Sequence, residues 1–130
     1  MRLLLDTHVF LWFITADRRL PGRFVEAIRN PANEAFLSVA STWEIVIKHG
    51  IGKLRLPSPA DVYVPTQRLA HKIADLSIDE AVMPHLAALP LLHRDPFDRL
   101  LVAQAKQHGL SLLTVDPAVL SYGVETLPPA

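Results

Sequence analysis

The 130-residue chain contains no cysteine, which excludes disulfides, thiolate metal sites and a cysteine nucleophile. It carries no excess of either charge, with 13 basic against 13 acidic side chains. Bulk positive charge therefore cannot hold it to nucleic acid, and any such contact needs local basic patches or bound cations. Long hydrophobic runs are missing too. Leu3-Leu4-Leu5 is ended by Asp6, too soon for a secretory core, and Val9–Ile14 is far short of a membrane span. The expectation is a cytoplasmic protein that makes no membrane contact. The six histidines show no HExxH or paired metal spacing. No repeat, low-complexity tract or linker is present, so residues 1–130 are expected to form a single domain.

What the chain has is apolar material. Half of its residues are hydrophobic and the mean hydropathy is +0.24, ample for a core and rich enough to suggest a self-association or partner face. Leu3-Leu4-Leu5 has the unbroken apolar character of a strand buried on both sides. Further strands are expected at Ala35–Val39, Ala74–Ile78 and Ser111–Val115, with a last edge strand at Val124–Leu127 and a frayed tail at Pro128–Ala130. Helices are expected at Val9–Ile14, Pro21–Arg29, from Ser41 to about Gly50, from about Ala60 to Ala70, and at Phe97–His108. One more, from Asp79 to Leu89, should be kinked or split by Pro84. Strands alternating with helices predict an α/β fold, a central parallel sheet of four or five strands covered on both faces.

Four acids stand at strand-to-helix junctions: Asp6 after the first strand, Glu44 in the helix after the second, Asp98 beside Pro96, and Asp116 after the fourth strand. Ligands of open parallel sheets gather beyond the carboxyl ends of the strands, so these acids can converge. Clustered carboxylates repel one another until a cation neutralises them. Oxygen ligands of this kind suit Mg²⁺ or Mn²⁺. Capping explains each acid singly just as well. Asp95-Pro96 and Asp116-Pro117 have the form of an N-cap followed by proline, Asp98 would then sit in the first turn, and Ser41-Thr42-Trp43-Glu44 fits a capping box. Spacing alone leaves the two alternatives balanced.

Four segments resemble the PIN-domain family, in family order and across nearly the whole chain. They are Leu3-Leu4-Leu5-Asp6-Thr7-His8, Ser38 to Glu44, His93 to Ala105 (HRDPFDRLLVAQA), and Leu113-Thr114-Val115-Asp116. The third is similar to a signature of VapC-type toxins. The resemblance implies a three-layer α/β/α domain with Asp6, Glu44, Asp98 and Asp116 as the catalytic, metal-holding acids, Asp6 and Asp98 foremost. It implies endonucleolytic cleavage of RNA, Mg²⁺ or Mn²⁺ as cofactor, and inhibition by a cognate antitoxin. Asp95 is expected to cap, with a contribution to the site as the alternative, and Thr114 either to orient a carboxylate or to serve as a strand residue. His8 and His93 adjoin the acids, with surface or packing roles as the alternative. Lys48, Lys53, Arg55, Arg94 and Arg99 are candidates for RNA phosphates or for local ion pairs. The apolar clusters around Trp12 and Trp43 suggest a homodimer and an antitoxin helix as partners.

Two other enzyme-like classes fit less well. A receiver-type phospho-acceptor domain wants an early acidic pair, whereas the chain has Asp6-Thr7. A haloacid-dehalogenase-like phosphatase wants an acid two places after the first aspartate, where this chain has His8. A binding module whose acids are only caps is the remaining alternative.

Overall fold

The computed structural model describes residues 1–127. Its elements run β1 (Arg2–Leu5), α1 (Thr7–Ile14), α2 (Gly22–Arg29), β2 (Glu34–Ser38), α3 (Val39–Gly50), α4 (Ala60–Ala70) and β3 (Ala74–Leu76). A 3-10 turn (Glu80–Val82), α5 (Met83–Ala87), α6 (Pro96–His108), β4 (Ser111–Leu113) and α7 (Pro117–Leu120) follow. The strands form one parallel sheet in the order β3-β2-β1-β4.

The unbroken leucine run of β1 follows from its place in the middle of this sheet. Leu3, Leu4 and Leu5 are all fully buried. Because side chains alternate along a strand, Leu3 and Leu5 join one core with Val9, Phe10, Phe24, Ile45 and Val64. Leu4 enters a second core with Leu101, Val102, Leu112 and Val119. Helices therefore cover both faces, giving the three-layer α/β/α arrangement.

From β1 the chain first moves outward to β2 and β3, then returns to lay β4 on the other side of β1. The crevice at the carboxyl ends of β1 and β4 is consequently the topological switch point, where ligands of such sheets collect. Two helix starts aim at it. The Asp95 carboxylate accepts the backbone N–H groups of Phe97 and Asp98 at 2.9 and 3.2 Å, with Pro96 opening α6. At its far end Gly109, at φ 66°, supplies the left-handed residue that stops the helix. The Asp116 carboxylate accepts the N–H of Ala118 at 2.9 Å and starts α7.

Two sequence expectations need correction. Val124–Leu127 is not a strand: the Leu112 N–H donates to the Glu125 carbonyl at 2.8 Å, but no ladder forms and the sheet has four strands. The Pro128–Ala130 tail lies outside the described residues. The cap of α3 is Ser38, whose Oγ accepts the Ala40 N–H at 3.0 Å. Ser41-x-x-Glu44 is therefore not a capping box, and Glu44 lies a turn deeper in the helix. Pro84 splits its segment as expected, into the 3-10 turn and α5.

Ser38 also donates its hydroxyl proton to Gln104 Oε1 at 2.5 Å, and Gln104 Nε2 donates to the Ser77 carbonyl at 3.1 Å. This buried bridge ties the ends of β2 and β3 to α6. Truncating Leu4 to alanine should leave a cavity in the second core and cost about 2–5 kcal/mol in denaturant unfolding. Leu92→Ala, at a half-exposed position, should change stability by less than about 0.5 kcal/mol.

Candidate active site

Asp6 directly follows β1, and its backbone N–H continues the β4 pairing by donating to the Leu113 carbonyl at 3.0 Å. Its side chain makes no capping bond to α1, so capping does not account for this acid. The carboxylate instead accepts the Thr114 hydroxyl at 2.7 Å. Thr114 is fully buried, and its Oγ1 in turn accepts the Asp116 N–H at 3.1 Å. One threonine thereby couples the acid after β1 to the acid after β4.

Glu44 comes in from α3 and is buried. Its Oε1 lies 2.7 Å from the Thr7 hydroxyl, and that hydroxyl lies 2.9 Å from Ser41 Oγ. A hydroxyl has one proton and an ionised carboxylate only accepts, so Ser41 donates to Thr7 and Thr7 to Glu44. The other oxygen, Oε2, takes the Lys48 ammonium at 2.7 Å, and this bond raises the lysine pKa above its ordinary value.

Asp98, in the first turn of α6, accepts from His93 Nε2 at 2.8 Å. Ligand atoms of His93, Asp98 and Asp116 all lie within 4.8 Å of one another. The Asp116 carboxylate is thus both a cap and part of a cluster, since its Oδ1 serves the cap and leaves Oδ2 for another partner.

The electrostatics bind the group together. Burial, opposed by the Thr114 hydrogen bond, raises the Asp6 carboxyl above its ordinary range, and the Glu44 charge adds to the rise. Burial pushes Asp98 up to about 6, against the His93 hydrogen bond and with help from the charges of Asp95, Asp6 and Glu44. The hydrogen bond to Asp98 raises the His93 imidazole, aided by Asp95 and Asp116. All four expected acids therefore act on one crevice at the switch point. Two buried and two half-buried carboxylates, with His93 beside Asp98 and Asp116, suit a hard divalent cation.

Among the other expected residues, Arg99 donates to the Pro90 carbonyl at 2.8 Å and the Tyr122 hydroxyl at 3.0 Å. It braces the loop that carries His93, whose carbonyl accepts from Tyr122 at 3.2 Å. His8 is exposed beside Trp12, at 5.9 Å between ring centroids. Sequence reasoning gave Thr7 no role of its own, read Ser41 as a cap, and treated Thr114 and His93 as secondary. Their only sequence signal is adjacency to an acid, because their partners lie between 5 and 108 residues away.

An open parallel sheet with acids gathered at its switch point defines a class of acid-lined α/β domains. A profile of the PIN domain matches residues 3–123, and the chain belongs to the PIN-domain family. Ribonuclease VapC22 of Mycobacterium tuberculosis is 31% identical over 120 residues, 92% of this chain and 90% of that protein. Among solved structures, VapBC2 from Rickettsia felis, bound to a DNA fragment from its promoter, superimposes with a TM-score of 0.72 at 13% identity, covering 98% of each chain. VapBC-1 from nontypeable Haemophilus influenzae gives 0.68 at 13% identity, over 99% of this chain and 98% of that one. At such identities the likeness to the solved structures is one of fold.

The raised carboxyls set a pH dependence for the metal-free protein. Asp6, Asp98 and His93 all bind protons more readily folded than unfolded. Their stabilising contribution is present below the unfolded values and is lost as pH rises through the folded ones. The exposed Asp17, lowered to about 2 by Arg19, works in the opposite direction only below about pH 4. In EDTA the melting temperature should fall as pH rises from about 4 to above 7, and saturating Mg²⁺ should recover the loss at the upper end. A melting temperature that climbs over this interval in EDTA would contradict the electrostatic assignment.

Proposed function

We propose that the chain is a divalent-cation-dependent endoribonuclease and the toxin of a toxin–antitoxin pair, acting in the cytoplasm as a single domain over residues 1–130. The observation that carries this is the placement of Asp6, Glu44, Asp98 and Asp116 around the switch point, with burial that disfavours the charged forms of Asp6 and Asp98. Support for RNA as substrate comes from the 31%-identical relative, which is a ribonuclease. Support for an antitoxin comes from solved neighbours that include a toxin-antitoxin complex from Klebsiella pneumoniae.

Asp6, Asp98 and Asp116, with Glu44, would hold Mg²⁺ or Mn²⁺. Such a cation, when bound, supplies an activated water and charge stabilisation for phosphodiester hydrolysis. The chain's own residues do the positioning. Thr114 fixes the rotamer of Asp6, and His93 fixes that of Asp98. Thr7 orients one oxygen of Glu44, while Lys48 holds the other. Lys48 also places a cation beside the acids, where a phosphate can be met by charge as well as by hydrogen bonds.

Apolar surface was expected around both tryptophans. The α1 cluster at Leu11, Trp12, Phe13 and Ile14 is largely packed against the core. The α3 row is different: Val39, Trp43, Val46 and Ile47 are 42%, 55%, 40% and 39% exposed. We place the protein contacts there, both the second copy of a homodimer and the antitoxin segment.

Replacing Asp6, Asp98 or Asp116 by asparagine, one at a time, separates catalysis from capping, because asparagine caps about as well as aspartate. RNA cleavage should fall more than about 100-fold, since groups that merely orient a metal ligand already cost about 10–100-fold. The melting temperature in EDTA should hold or rise as one like charge leaves the cluster. Near wild-type cleavage by these variants, or undiminished cleavage in excess EDTA, would remove the basis of the proposal. For the dimer, light scattering should give twice the chain mass for the wild type and the chain mass for Trp43→Asp. A monomeric wild type would contradict it.

A further inference from the structure

A cavity of about 580 Å³ adjoins the acidic crevice on the α1 and α3 side, within the roughly 300–1,000 Å³ of small-molecule sites. Thr7 and Lys48 line its inner end, and both are bonded to Glu44, so the cavity and the acids share a wall. Farther out the walls are aromatic, from Trp12 and Tyr63, and the rim is cationic, from Arg19, Lys53 and Arg55. Among the described lining residues Asp17 is the one acid, and it is paired with Arg19 at 2.8 Å. In a chain of zero net charge, this is a local concentration of positive charge.

The rim is held in place by the end of α3. The Lys53 N–H donates to the Lys48 carbonyl at 2.9 Å, and His49 Nδ1 donates to the Leu54 carbonyl at 3.0 Å. Lys53 and Arg55 are exposed on that short loop. The Arg19 guanidinium lies 5.0 Å from the centre of the Trp12 ring, so the indole already accepts a planar cation over its face. Arg19 is a surface side chain, 70% exposed, and can exchange that place for a phosphate.

We infer that this cavity is a nucleotide subsite for single-stranded RNA: one base stacks on Trp12, and the adjoining backbone phosphates lie on Lys53, Arg55 and Lys48. Aromatic platforms flanked by cations are how proteins hold unpaired bases without a sequence code. Lys48, shared with Glu44, marks where the strand passes from this subsite into the crevice. Leu11, Ile45, Leu54 and Leu56 also line the cavity, so a protein segment is the competing occupant; the ring of Arg19, Lys48, Lys53 and Arg55 around an aromatic face favours a nucleotide. The inference rests on the RNA reading above and adds where the strand next to the cleaved bond is held.

The test uses the full chain with Trp43→Phe, so that Trp12 is the one remaining tryptophan, in EDTA to separate binding from cleavage. Hexauridylate should quench Trp12 fluorescence. K53E/R55E should raise its Kd at least tenfold, and kcat/KM for a longer RNA in Mg²⁺ should fall by a similar factor. R29E/K72E makes the same charge change on residues lining a separate cavity, and should shift Kd less than twofold. Equal losses in both double variants would show bulk charge alone and overturn the subsite. So would an unquenched Trp12 that responds to an acidic amphipathic peptide. RNA cut with kcat/KM unmoved by K53E/R55E would overturn the subsite and leave the nuclease standing. RNA that binds and quenches but is not cut in Mg²⁺ would support the subsite and sink the nuclease.

Discussion

Carboxylates do not share a buried crevice without compensation, and the repulsion among Asp6, Glu44 and Asp98 is the constraint around which the switch-point end of this domain is organised. Asp6 and Asp98 are taken partly out of water, which disfavours their charged forms; the Glu44 charge adds to the rise at both, and that of Asp6 to the rise at Asp98. The fold answers with fixed donors: Thr114 for Asp6, Thr7 and Lys48 for Glu44, His93 for Asp98, and the Ala118 N–H for Asp116. These donors hold geometry, but one lysine and one histidine do not neutralise four acids. The remaining imbalance is what makes the crevice receptive to a divalent cation, and what makes the metal-free protein sensitive to pH.

The same constraint explains why supports come from distant parts of the chain. A sheet in the order β3-β2-β1-β4 brings Asp6 and Thr114 together across 108 residues by pairing β1 with β4. Buried leucines on both faces of β1 keep that pairing in register, because a slip of one residue would exchange its two cores. The Ser38–Gln104–Ser77 bridge does similar work one layer out, fixing the start of α3 and hence the height at which Glu44 enters. Core packing and site geometry are therefore not separable here. A cavity under β1 or a lost hydroxyl at Thr114 would be felt at the carboxylates.

Much of this was legible locally. The Leu3–Leu5 run and the Asp95-Pro96 and Asp116-Pro117 helix starts are short-range signals, and each stands in the structure where the sequence places it. The junction acids were visible as candidates, and the family resemblance singled out four of them. What could not be read is whatever depends on partners far along the chain. The Glu44–Lys48 pair lies at ordinary helical spacing, but nothing local says that Thr7 takes the other oxygen. Ser41 looked like a cap because capping is common before an acid three places on, whereas the strand in fact ends earlier and Ser38 caps. Val124–Leu127 had the apolar character of a strand but forms no ladder: Val124 and Leu127 pack against the cores, and a single backbone bond joins Glu125 to Leu112. The Trp12 cavity was invisible for the same reason, since its cations come from the loop after α1, from α3 and from the loop after α3.

The account stands on one claim, that the acids at the carboxyl ends of β1 and β4 hold a divalent cation. A crystal of the protein soaked in Mn²⁺ and measured for anomalous scattering addresses it without recourse to activity. The account predicts a manganese peak in the crevice, in contact with carboxylate oxygens of Asp98 and at least one of Asp6 and Asp116, and its loss in Asp98→Asn. Strong manganese peaks elsewhere on the chain, with none in the crevice at saturating Mn²⁺ and neutral pH, would contradict it.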